Sequence, residues 1–149
     1  MNVIDLIDAK VVISSLKSSA KKQAIEELLQ VLQSSGKVQN RELALKDILA
    51  RESYLSTGME NGLAVPHAKT DAVNELVVAF GLHRSGLDFE SLDGKSAHFV
   101  FLVLSPRDTS GPHIQALAAI SRLLKDEKTR KKLLNADSSE KILEVFSAS

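Results

Sequence analysis

The sequence predicts an α/β fold, a mixed and mostly buried sheet with helices on both faces. Two observations lead there. Leu76 to Leu82 and His98 to Leu104 are apolar runs without polar alternation, as expected of strands covered on both faces. Between and around them, apolar residues recur at three- and four-residue spacing, the mark of amphipathic helices. Helical and buried-strand patterns interleave along the chain, and that order defines the α/β class.

The elements follow in order. Val11-Val12-Ile13 is a short apolar run and the first expected strand. Ser18 or Ser19 can cap a helix in which Ala24, Ile25, Leu28, Leu29 and Leu32 form one face, ended by Gly36. Asn40 can cap a second helix, with Leu45, Ile48 and Leu49 inward, running to Arg51-Glu52. Leu63-Ala64-Val65 reads as a short strand ended by Pro66, which has no N–H for a ladder. The two long apolar strands come next. Leu87-Asp88-Phe89 between them suggests a small edge strand, and Asp93-Gly94 a turn. Pro112 suits the first position of a helix with Ile114, Leu117, Ala118 and Leu124. Asp126 can cap the next helix, and Ser138 or Ser139 the last. No repeat or internal boundary divides the chain, so residues 1–149 are expected to form a single domain.

Composition removes several function classes. At 149 residues with 44% apolar and 26% charged side chains, the chain can bury a real core. Its formal net charge is zero, so no global positive field exists to hold nucleic acid or an anionic membrane. It has no cysteine, hence no disulfide and no thiol nucleophile. No apolar run approaches the roughly 20 residues of a membrane span, and the N-terminus has no signal-like apolar core. A soluble, cytoplasmic protein without membrane insertion is expected.

The stretch Gly58 to Thr70 concentrates the chemistry. Two glycines flank Met59-Glu60-Asn61 as a turn, a short strand follows, and Pro66 delivers His67 to a rim beside small Ala68. A neutral imidazole so presented is a ready nucleophile. Pattern alone also allows a polar strand end. His113 falls in the first turn of a helix, whose N-terminus favours anions, although its spacing to Ala116, Leu117 and Ile120 equally suits a packed boundary histidine. Arg51 closes the second helix, where a surface pair with Asp47 is the plain reading. Glu60 and Asn61 stand close enough in sequence to orient the His67 ring, though simple turn chemistry is the commoner role. His83 and His98 border apolar strands and are assigned no role. The four histidines lack helical ligand spacing, and no His-Glu zinc pattern occurs.

"NGLAVPHAKT" resembles the phosphorylation-site signature of fructose/mannitol-type enzyme IIA domains of the bacterial phosphoenolpyruvate-dependent sugar phosphotransferase system. Nitrogen-regulatory IIA proteins share that signature. The resemblance continues through "LARESYLSTG", "GLDFESLDGKSAHFVFLVLSP" and "GPHIQALAAISRLL", from about Val11 to Phe146. It implies a three-layer sandwich. It implies that His67 takes a phosphoryl group as a tele-phosphohistidine, that His113 is a second active-site histidine, and that Arg51 stabilises the charge in transit. The implied partners are the carrier HPr, as donor, and a IIB protein, as acceptor. No cofactor is implied, because the donor nitrogen–phosphorus bond supplies the driving force. Leu63, Val65 and the loops around His67 should then lie near the docking surface. Two other roles share these residues or this fold: a nitrogen-regulatory IIA protein acting through partner proteins, and a non-enzymatic domain of the anion-transporter cytoplasmic type. The motif assigns neither a sugar nor an oligomeric state.

Overall fold

The two long apolar runs form the centre of a five-stranded sheet in a computed structural model that describes residues 2–149. β4 (Val77–Leu87) and β5 (Ala97–Ser105) pair antiparallel, with Phe80 opposite Phe101. β1 (Val12–Ile13) joins the other side of β4 in parallel. β2 (Leu63–Ala64) and β3 (His67–Lys69) both join β5 in parallel. Both faces of β4 and β5 are buried over most of their length, as their unbroken apolar sequence requires.

Pro66 interrupts a strand and does not end it. Leu63 lies opposite Phe99 and His67 opposite Val103, so the register is the same on either side of the break. Pro66 has no N–H to give, but its carbonyl still accepts from the Val103 N–H at 3.0 Å. Val65 turns away from the ladder and donates to the Thr57 carbonyl at 3.0 Å. His67 therefore opens a second strand segment, in place of the bare rim expected from sequence.

Among the described residues five α-helices cover the sheet: α1 (Lys21–Ser34), α2 (Arg41–Glu52), α3 (Gly111–Lys125), α4 (Glu127–Leu134) and α5 (Ser139–Ser147). Asn40 caps α2 by accepting from Leu43 N–H at 3.1 Å, and Ser138 caps α5 through Lys141 N–H at 3.2 Å. Gly36, at φ 79°, turns the chain after α1 so that Lys37 N–H reaches the Leu32 carbonyl at 2.9 Å. Phe146 of α5 packs on Phe80 and Phe101, with centroids 5.2 and 5.8 Å away. Each such aromatic pair adds about 0.5–1.5 kcal/mol beyond its buried area.

Three local expectations are corrected. Neither Ser18 nor Ser19 caps α1; Ala20 stands at that position without a side-chain cap, held by a parallel bridge to Asp88. That bridge also replaces the small edge strand expected at Leu87-Asp88-Phe89, because Leu87 ends β4. Pro112 is the second residue of α3, after Gly111.

Candidate active site

The site lies where β3, the end of β5 and the start of α3 meet. Side chains alternate along a strand, so His67 and Lys69 project to one face of β3, and Lys69 is the register neighbour of Ser105. After β5 a short loop brings α3 back over the same sheet edge. The carboxyl ends of strands, met by a helix N-terminus, are where open α/β sheets place their ligands.

His67 is half-buried, and its Nδ1 lies 2.7 Å from the Val65 carbonyl oxygen. A carbonyl only accepts, so Nδ1 holds the proton and Nε2 presents its lone pair. Burial pushes the His67 pKa below its ordinary 6.5; the Val65 carbonyl opposes that shift, the Arg51 guanidinium adds to it, and Glu52 opposes it. The ring is neutral at pH 7 with a free nitrogen.

His113, the third residue of α3, is 7% exposed, and its ring centroid is 5.5 Å from that of His67. Burial, then His67 and Lys69, lower its pKa to about 4. Its Nδ1 lies 2.6 Å from the Ser105 hydroxyl oxygen.

Arg51 makes no pair with Asp47, which meets Arg107 at 3.4 Å instead. Arg51 donates to the Leu55 carbonyl at 3.0 Å, and its charge acts on His67. Two residues of the surroundings went unread in the sequence. Lys69 donates to Ser110 Oγ at 2.8 Å, at the start of α3. Its signal was the two-residue spacing from His67. The Glu52 side chain is 5% exposed and ties three segments together. It pairs with Lys21 at 2.6 Å and accepts from both the N–H (3.2 Å) and the hydroxyl of Thr57. Only tertiary contact reveals that role.

The remaining candidates sit elsewhere. Glu60 and Asn61 lie in the turn before β2, where the Glu60 carbonyl accepts from Leu63 N–H at 3.2 Å and Asn61 adopts φ 63°. The His67 ring donates to the Val65 carbonyl and bonds neither of them. His83 and His98 are tied to backbone carbonyls, of Ser18 at 2.9 Å and of His83 at 2.9 Å. Leu63 and Val65, expected near the surface, are 4% and 3% exposed: Leu63 pairs against β5, and Val65, turned out of the ladder, is bonded to Thr57 and packed in the core. Exposed apolar residues flank the site residues in sequence: Tyr54 and Leu55 three and four positions after Arg51, and Ile114 next to His113.

A nitrogen with a free lone pair, a neutral second imidazole, two cationic side chains and a helix N-terminus are groups whose chemistry suits an anion. Hollows of about 340, 360 and 380 Å³ lie elsewhere, and neither His67 nor His113 lines them. Among the described residues no group of three or more His, Asp or Glu is placed to hold a metal, and no helix is long and apolar enough to cross a membrane.

Residues 5–149 match the family model described as "Phosphoenolpyruvate-dependent sugar phosphotransferase system, EIIA 2". A Bacillus subtilis fructose-specific EIIABC component is 38% identical over 98% of this chain, which spans 23% of that longer protein. A Haloferax volcanii fructose-specific EIIA component is 41% identical, covering 86% of this chain and 83% of its own. A Bradyrhizobium diazoefficiens nitrogen regulatory protein is 33% identical, covering 98% and 95%. Among solved structures, the Escherichia coli complex of enzyme IIA mannitol with phosphorylated enzyme IIB mannitol contains a chain of the same fold. Its TM-score is 0.82 at 23% identity, over 96% of this chain and 98% of that one.

Proposed function

Because this chain belongs to the EIIA 2 family of the phosphoenolpyruvate-dependent sugar phosphotransferase system, we propose that it is a phosphocarrier whose acceptor is Nε2 of His67. The observation behind this is the 2.7 Å contact between His67 Nδ1 and the Val65 carbonyl. It leaves one nitrogen, and one only, as nucleophile.

In the first transfer the Nε2 lone pair attacks phosphorus on the phosphohistidine of HPr. The donor nitrogen–phosphorus bond breaks, its electron pair returns to the donor ring, and the tele-phosphohistidine forms. Nδ1 keeps its proton, and the Val65 carbonyl stabilises the positive charge that develops on the ring. Arg51 and Lys69 balance the phosphoryl charge, and His113 meets a phosphoryl oxygen. In the second transfer the acceptor thiolate of a IIB protein attacks the same phosphorus and His67 is restored. No cofactor takes part in either step. Tyr54, Leu55 and Ile114 form the apolar rim on which both partners dock in turn. This reading takes residues 1–149 as one IIA domain at work in the cytoplasm.

The test supplies phosphoenolpyruvate, enzyme I and HPr, then a panel of IIB proteins. Label should reach His67 and pass to a fructose-type IIB cysteine. A chain that stays unlabelled defeats the reading. The extent of the match to the nitrogen regulatory protein favours a second reading, in which the phosphorylation state of His67 controls partner proteins. Labelling of His67 without onward transfer to any sugar IIB would select it.

A further inference from the structure

We propose that Ser105 is a positioning residue for this site: its hydroxyl donates to Nδ1 of His113 and fixes the ring tautomer that holds its proton on Nε2. The tautomer rests on geometry alone; its effect on rate rests on the phosphocarrier reading.

Ser105 ends β5 with no exposed surface, and its backbone is pinned where its carbonyl accepts from Thr70 N–H at 2.9 Å. Its Oγ is 2.6 Å from His113 Nδ1, at the short end of hydrogen-bond distances. A hydroxyl has one hydrogen to donate. Among the described residues the imidazole is the partner of this oxygen, and bulk water does not reach it. If Nδ1 were the donor, the Ser105 hydrogen would have no acceptor in the interior, a state that buried hydroxyls rarely occupy. With the hydroxyl donating, both groups are satisfied. The single proton of the neutral ring then sits on Nε2.

The consequence falls on the phosphoryl group. Nε2 of His113 has no protein partner among the described residues, and it is not sealed from solvent. With a proton it attracts a phosphoryl oxygen on His67. In the opposite tautomer it would aim a lone pair at that oxygen and repel it. Low basicity keeps the ring neutral, so tautomer and not charge decides the sign of the contact. The end of a central strand thereby sets the polarity of a histidine that belongs to a helix.

Histidine-selective ¹⁵N NMR of the unphosphorylated protein reads the tautomer without any donor. The expected spectrum has His113 Nδ1 unprotonated and Nε2 protonated; a protonated Nδ1 overturns the proposal. Rapid-quench transfer from phospho-HPr reads the consequence. Ser105→Ala should slow transfer about tenfold, the lower end of what loss of an outer partner costs a histidine at metal sites, and His67 should still be the residue labelled. In a His113→Ala background the same change should have no further effect. Equal slowing in both backgrounds would mean that Ser105 acts through packing, and would overturn its positioning role. If the wild-type chain takes no phosphoryl group from phospho-HPr, the phosphocarrier reading fails, and the NMR result still decides the tautomer.

Discussion

The imidazole rings of His67 and His113 lie 5.5 Å apart between centroids, tilted by 58°. They are 46 positions apart in sequence, and each is set by a different device: a backbone carbonyl two residues back for His67, a serine at the end of a central strand for His113. One ring exposes a lone pair, and the other has its nitrogen partner inside the protein. That asymmetry sets two like side chains in different environments.

His67→Ala should abolish phosphorylation by phospho-HPr and leave the fold intact, because a half-buried ring at a strand start contributes little packing. Circular dichroism and a labelling gel check both halves. The wild-type modification should be acid-labile and base-stable, as a nitrogen–phosphorus bond is. Label that persists on another residue of the variant would remove His67 from the acceptor role.

His113→Ala should slow transfer by about 10²–10³, the usual effect of losing one donor at an oxyanion-type site, without removing the label from His67. His113→Gln should recover part of the rate, since its amide still donates. Rapid-quench kinetics in both directions provide the comparison, and rates equal to wild type would reduce His113 to packing.

Acid should destabilise the fold through His113. Its folded pKa, about 4, lies below the ordinary 6.5 of an unfolded histidine. Between those values the unfolded chain binds more protons, so stability falls as pH falls. The full contribution is present above pH 6.5. By pH 5 the loss should be roughly 2 kcal/mol, at about 1.4 kcal/mol per pH unit. His67 shifts in the same direction. Urea midpoints at pH 7 and pH 5 should differ less for His113→Gln than for wild type; identical pH slopes would count against a neutral buried His113.

Glu52→Ala should cost about 3 kcal/mol, because it removes the nearer and buried carboxylate of Lys21, leaving it Glu90 at 3.4 Å, and leaves the Thr57 N–H and hydroxyl without their partner. Lys21 also lies 5.0 Å over the Phe89 ring, so its charge is partly enclosed. Glu52→Gln should lose less, keeping an acceptor for Thr57. Denaturant unfolding measures both. A loss under about 0.5 kcal/mol for the alanine variant would class the pair with surface ion pairs.

The sequence determined the α/β class, the two central strands and the caps at Asn40, Asp126 and Ser138, because period, burial and capping act over neighbouring residues. It also brought His67, His113 and Arg51 forward by their motif context. What it left undecided is set by contacts between distant segments. Proline's missing N–H reads locally as a strand end, yet the unchanged register with β5 carries the strand through Pro66. Leu63 and Val65 look like surface residues beside a reactive histidine, yet Leu63 is buried by pairing with β5 and Val65 by packing at the break, where it bonds Thr57. The Ala20 bridge to Asp88, the reach of Glu52 to Lys21 and Thr57, and the meeting of Ser105 with His113 have no local pattern. Hydrogen-bond direction depends on which donor ends up buried against which acceptor, and only the packed chain brings those atoms together.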